Sequence, residues 1–281
     1  MTNTLIASSG RFYYRHRWPV RVMHWINVLA VTILLMSGLQ IFNAHPELNW
    51  GHSSYSGRPA LLVIGAEQLP DGHTAGVTQV FGHKFRTTGV LGVSGPRDAP
   101  EERAFPSWAT IPGPKWLAMA RRWHLFFAWV LVLNGIVYVM YSIFGHHLAR
   151  DLAPTRTELR SVGQSIRDHL RFTHPSGEAA TRYNVLQKIT YLAVIFGLLP
   201  LIILGGWAMS PRLDTALPAW VDVLGGRQSA RTIHFIAAWM LVAFVLVHVF
   251  EVIVSGLWNN LRSMVTGRYQ VPAAIEDDTT R

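Results

Sequence analysis

Apolar residues in this chain gather into four runs, at 21–42, 116–144, 184–210 and 229–258. Each is long enough to cross a hydrocarbon core of ~30 Å, which takes about 20 residues of helix. The first run, RVMHWINVLAVTILLMSGLQIF, follows a polar, basic start and lacks a small-residue cleavage pattern, so it reads as a retained first span rather than a signal peptide. The third contains Pro200 and the pair Gly205, Gly206, tolerable where neighbouring helices satisfy the freed backbone groups. In the segment 43–115, ALLVI is too short to cross, while Trp50, Phe81, Phe85, Phe105 and Trp108 offer side chains for an ordered cap. Between the second and third runs, TELRSVGQSIRDHLRF has the period of an amphipathic helix lying on the membrane surface. The pattern predicts an all-α, integral membrane four-helix bundle, one domain over 1–281, with a long external loop at 43–115.

Charge orients this bundle. Arg11, Arg15, Arg17 and Arg21 crowd the N-terminal tail, and Arg150, Arg156, Arg160, Arg167, Arg171, Arg182 and Lys188 crowd the connection between the second and third runs. Basic residues in short flanking segments stay inside, which places both termini in the cytoplasm; a loop as long as 43–115 crosses whatever its charge. A formal charge of +9 would suggest nucleic acid in a soluble protein. Here the arginines flank membrane spans, where anionic lipid and the orientation rule account for them, and nucleic acid is excluded as a partner. The chain has no cysteine, which excludes covalent c-type haem attachment, thiolate-bound clusters, disulfides and cysteine nucleophiles.

Histidine is the remaining chemistry. His234 and His248 lie fourteen residues apart on the fourth run. That spacing is roughly 21 Å along a helix and within about 40° of one face. His24 and His124 each stand near the start of their own run. With the N-terminus inside, equal depth pairs His24 with His248 and His124 with His234. Each pair is a bis-imidazole site, suited to iron and, having no open coordination position, to electron transfer. A lone intramembrane histidine can equally hydrogen-bond a neighbouring helix or relay protons; four that match in depth favour two stacked haems. Arg21, Arg121 and Arg231 each precede one of these histidines by three residues, one turn nearer the interface, where they could pair with propionates or simply snorkel. The histidines His45, His52, His73 and His83 of the loop match no ligand spacing, and the doublet His146, His147 suits an interfacial cap as well as a proton-handling role.

RVMHW followed by SG, RRWH at the second run, YNVLQK before the third and the fourteen-residue histidine spacing resemble the bacterial di-haem cytochrome b subunits of nickel–iron hydrogenases, formate dehydrogenase and thiosulfate reductase, a group overlapping the cytochrome b561 family. The resemblance implies a bacterial inner-membrane subunit with two b haems that passes electrons between a periplasmic redox partner and membrane quinone. It implies ligand roles for His24, His124, His234 and His248, and a quinone site on the cytoplasmic side near Asn184, with Gln187 as a second candidate; Asn184 also stands where a helix N-cap is expected. The loop run from FRTTGVLGVSG to RAFPSWATIPGPKWLAMARRWH looks like a subgroup that accompanies a periplasmic molybdopterin oxidoreductase. On that reading the chain is an electron-transfer subunit rather than a complete enzyme, with transfer from the periplasmic donor into quinone preferred over the reverse. Two other classes stay open: a stand-alone haem b oxidoreductase for a small substrate such as superoxide, and a haem-free proton-coupled transporter, for which only Glu251 lies within a run.

Overall fold

The computed structural model describes residues 12–55, 57–96, 98–146, 148, 152–170, 184–216 and 218–270. Arg11, His147, Arg150, Arg171, Arg182 and the tail after Gln270 lie outside the described residues.

Strand β1 (Phe12–Tyr14) leads into α1 (Trp18–Phe42), which starts before the apolar run because Pro19 fits a first helical turn. Strands β2 (Glu47–Leu48), β3 (Leu62–Gln68), β4 (Thr74–Val80), β5 (His83–Arg86), β6 (Gly92–Ser94) and β7 (Glu101–Arg103) follow, then α2 (Leu117–Phe144). The surface segment forms two helices, α3 (Arg156–Arg160) and α4 (Val162–Leu170), where its period predicts one. Ser161 separates them, its hydroxyl donating back to the Glu158 carbonyl at 2.8 Å. The third span, Val185–Ala208, is α5 (Val185–Ala193), a π turn (Val194–Leu198) and α6 (Leu199–Ala208). The widened turn stands just ahead of Pro200, which has no N–H and crowds the carbonyl four residues earlier. Short helices α7 (Pro211–Ala216) and α8 (Pro218–Val223) lead to α9 (Arg227–Val254). Gly256, at φ 107°, then turns the chain into α10 (Leu257–Thr266) and β8 (Arg268–Gln270).

The four long helices are apolar and long enough to cross a membrane. Their burial is inverted relative to a soluble bundle: Leu125, Phe126, Trp129, Leu133, Leu246 and Val247 are exposed, whereas Ala30, Ser37, Ala120, Ala208, Ala230 and Ala237 are buried. Small residues let membrane helices approach closely while bulky apolar ones meet lipid. A hydrogen bond of 2.8 Å from Asn134 on α2 to Asn27 on α1 adds polar glue.

The contacts divide the chain into two compact units. One comprises 26–134 and 198–241. It contains the antiparallel sheet β2-β3-β4-β5 and the β6-β7 pair, a β-structured cap that the sequence pattern does not reveal. The cap core is Leu48, Ile64, Ala104 and Phe105 on Phe42 of α1, with Phe235 of α9 packed against it. Of the five aromatic residues expected to fill the cap, only Phe105 is buried; Trp50, Phe81, Phe85 and Trp108 are exposed, because aliphatic strand residues and the span aromatics supply the core. Buried Arg103 joins cap and helix, donating to Gln40 Oε1 at 2.7 Å, Gly113 O at 2.8 Å and Thr110 Oγ1 at 2.9 Å. The start of α9 is stitched to 45–51: the Ser229 hydroxyl accepts from Gly51 N at 2.8 Å, Thr232 Oγ1 donates to Asn49 O at 2.7 Å, and the Arg231 guanidinium donates to His45 O.

The other unit comprises 1–25, 135–197 and 242–281. In its described part β1 and β8 pair antiparallel, Tyr13 opposite Tyr269, and α3 is held to α5 by an ion pair of Glu158 with Lys188.

Candidate functional site

Helix geometry brings the four histidines together two by two. In the first unit described above, His124 of α2 and His234 of α9 have ring centroids 6.2 Å apart with planes inclined by 67°. In the other, His24 of α1 and His248 of α9 are 6.3 Å apart at 65°. These are the partners that equal depth selects.

The outer ring nitrogens of the first pair are spoken for. His234 Nδ1 lies 2.7 Å from Ile202 O on α6, and a carbonyl can only accept, so Nδ1 carries the proton and Nε2 the lone pair. His124 Nδ1 lies 3.1 Å from Ser37 Oγ on α1, whose own hydrogen goes to Ile33 O at 2.6 Å; the hydroxyl therefore accepts from His124 and fixes the same tautomer. A ligating imidazole whose other N–H is held in this way is oriented and made more basic. Glycines make the space: a Cβ on Gly38 would sit 3.3 Å from His124 Cε1, and one on Gly206 3.4 Å from His234 Cε1, so these glycines receive imidazole rings. Around the second pair, Trp25 lies edge-on to His24 at 5.5 Å and Phe244 stacks on His248 at 6.0 Å.

Two of the three arginines donate to carbonyls. Arg21 Nη1 donates to Val265 O at 2.5 Å, while its buried Nε has no partner. Arg231, bonded to His45 O, lies over the Phe42 ring at 5.5 Å. Arg121 is exposed. Asn184 and Gln187 form a capping box at the start of α5: the Asn184 side chain accepts from Leu186 N at 3.1 Å, and Asn184 N donates to Gln187 Oε1 at 3.2 Å. Their acceptor oxygens are used by the helix end, leaving the amide hydrogens as donors. One turn on, Lys188 is buried and bonds both Glu158 oxygens, at 2.8 and 3.1 Å. In the sequence Lys188 counts only as a topological charge; its single visible signal is a lysine on the apolar run. In the cap, His45 pairs with Glu47 at 3.0 Å, and among the described residues no group of three or more His, Cys, Asp or Glu could hold a metal.

Two imidazoles on one metal, with bonds of roughly 2.0 Å and a ring radius of about 1.1 Å, put their centroids roughly 6.2 Å apart. Both pairs have this spacing, and Nε2 of His124 and of His234 carries the lone pair a metal needs. The donor set therefore fits iron held between two imidazoles, which is how a protein without cysteine can hold a b-type haem.

The family model for prokaryotic cytochrome b561 matches residues 15–267. The chain belongs to the prokaryotic cytochrome b561 family. It is an integral membrane protein of haem b electron transfer. It is 28% identical over 241 residues to a protein of Azospira oryzae described as protein-methionine-sulfoxide reductase subunit YedZ1, covering 86% of this chain and 91% of the relative. It is 24% identical over 268 residues to a protein of Cupriavidus necator described as a Ni/Fe-hydrogenase B-type cytochrome subunit, covering 90% of this chain and 85% of the relative. No solved structure matches.

Proposed function

We propose that this cytochrome holds two b haems and passes electrons between membrane quinone and a periplasmic oxidoreductase. The observation that carries this reading is the pair of imidazole sandwiches at 6.2 and 6.3 Å. His124 and His234 hold the outer haem, His24 and His248 the inner one. When bound, these haems supply a one-electron carrier whose iron has no open position. Arg21, with its orphaned Nε, and the remaining N–H groups of Arg231 and Arg121 would be the donors to the haem propionates. The N-terminus is cytoplasmic, in the bacterial inner membrane, as the placement of arginines supports.

The β-structured cap over Phe42 and Phe235, the latter adjacent to His234, supports docking of a protein partner over direct attack by a small diffusible substrate. The relatives described as a methionine-sulfoxide reductase subunit and as a hydrogenase cytochrome subunit support a redox-enzyme partner, which we take to be a molybdopterin oxidoreductase because of the loop run 85–124.

Quinone is recognised near the entry to α5, where the amide hydrogens of Asn184 and Gln187 are available to a quinone carbonyl. Asn184→Asp separates this role from capping, since aspartate caps as well as asparagine but has no amide hydrogen. In stopped-flow spectroscopy a short-chain quinol should reduce the haems of the native chain within seconds and those of the Asn184→Asp variant at least tenfold more slowly. Equal rates in the two would reduce Asn184 to a cap, and a native chain reduced by dithionite but not by quinol would remove quinone from the proposal.

A further inference from the structure

Two segments far apart in sequence, 12–27 and 255–270, meet through the β1–β8 ladder and through α10. Together they hold Arg15, Arg17, Arg21, Arg262 and Arg268 and no acidic residue. The acidic side chain closest along the sequence is Glu251 on α9. Arg15 and Arg262 are stacked on aromatic rings, Arg15 over that of Tyr269 at 4.8 Å and Arg262 over that of Phe12 at 5.1 Å. Arg262 Nη2 donates to Asn259 Oδ1 at 2.7 Å and Gln270 Oε1 at 3.1 Å, and its buried Nε has no acceptor. Arg17 and Arg268 are exposed.

The same module exposes large aromatic residues: Trp18 is 66% exposed, Trp258 80%, Phe12 57% and Tyr14 53%. Both tryptophans stand at helix starts, of α1 and α10 respectively. Amphipathic rings prefer the headgroup level of a bilayer, and guanidinium groups bind phosphate through planar, charge-assisted hydrogen bonds. Exposed aromatic residues and the arginines Arg17, Arg262 and Arg268 therefore coincide at the mouth of a membrane span.

We infer that the β1–β8–α10 module is a binding site for an anionic phospholipid, whose phosphate is held by Arg17, Arg262 and Arg268 and whose glycerol and upper acyl chains lie against Trp18 and Trp258. The charge of the module selects the ligand: each arginine near a bilayer surface favours anionic over zwitterionic lipid by roughly fivefold. Arg21 is left out of the set because of its place one turn before His24.

Native mass spectrometry of the purified haem-loaded chain tests this, with phosphatidylglycerol and phosphatidylcholine of equal chain length as probes. The native chain should bind phosphatidylglycerol at least tenfold more tightly, and Arg17→Gln/Arg262→Gln/Arg268→Gln should abolish the preference while the haem spectrum is unchanged. If the triple variant does not fold, Arg17→Gln and Arg268→Gln alone should each weaken phosphatidylglycerol binding roughly fivefold. Arg58→Gln/Arg86→Gln, in the cap, should leave it unaltered. No headgroup preference in the native chain, full preference in the variants, or displacement of the lipid by millimolar inorganic phosphate would overturn the inference.

Discussion

The carbonyl oxygen of Ile202 can only accept a hydrogen bond, and that single fact decides which nitrogen of His234 is free for a metal. Ser37 does the same for His124 through a longer chain of donation, from Nδ1 to Oγ and from Oγ to Ile33 O. Removing the hydroxyl removes the brace while leaving the ligand. Ser37→Ala should therefore loosen the outer haem by roughly 10–100-fold in affinity, measured as faster haem loss to an apo-globin acceptor, with the inner haem unaffected. Equal loss rates in variant and native chain would deny Ser37 this role. The histidines themselves were legible in the sequence because a helix repeats regularly, so spacing alone gives depth and face. Ser37 and Ile202 were not, because which residue meets a ring depends on the rotation of a neighbouring helix. The glycines were visible as small residues, but that Gly38 and Gly206 receive imidazoles is known only from the packing.

At the scale of elements, Glu158 serves two structures at once. Its carboxylate closes the capping box of α3 with Thr155 and binds Lys188 of α5. The hydrogen bond from Lys188, then that from the Thr155 backbone, holds its pKa below the ordinary 4.5. A depressed carboxylate contributes stability that is fully present above its unfolded value and lost as the pH falls through the folded one. The docking of α3 should thus be constant at neutral pH and weaken as the pH falls below the ordinary 4.5 and on through the lowered folded-state value, which hydrogen exchange of the α3 amides would detect. Glu158→Gln should show the weakened docking already at pH 7, and exchange that is independent of both pH and the substitution would contradict this. The spans were legible because twenty apolar residues have few other uses; their ends shifted where Pro19 and Gly256 act. The cap strands were hidden in 43–115, since β3 begins inside a pentamer that reads as a short apolar run and exposed aromatic residues mimic a core. Ser161 likewise broke an uninterrupted helical period through a backbone contact that no hydrophobic pattern encodes.

At the scale of the whole molecule, each compact unit carries one histidine pair, and α9 supplies a member to both. Haem b electron transfer follows from family membership. The identity of the partner was not legible, since a docking surface is specified by two chains together. What the account requires above all is one iron porphyrin for each imidazole pair. A pyridine haemochrome determination against protein concentration should give two b haems per polypeptide for the native chain and one for either His234→Ala or His248→Ala. Fewer than two in the native chain, or loss of both haems from each single variant, would contradict it.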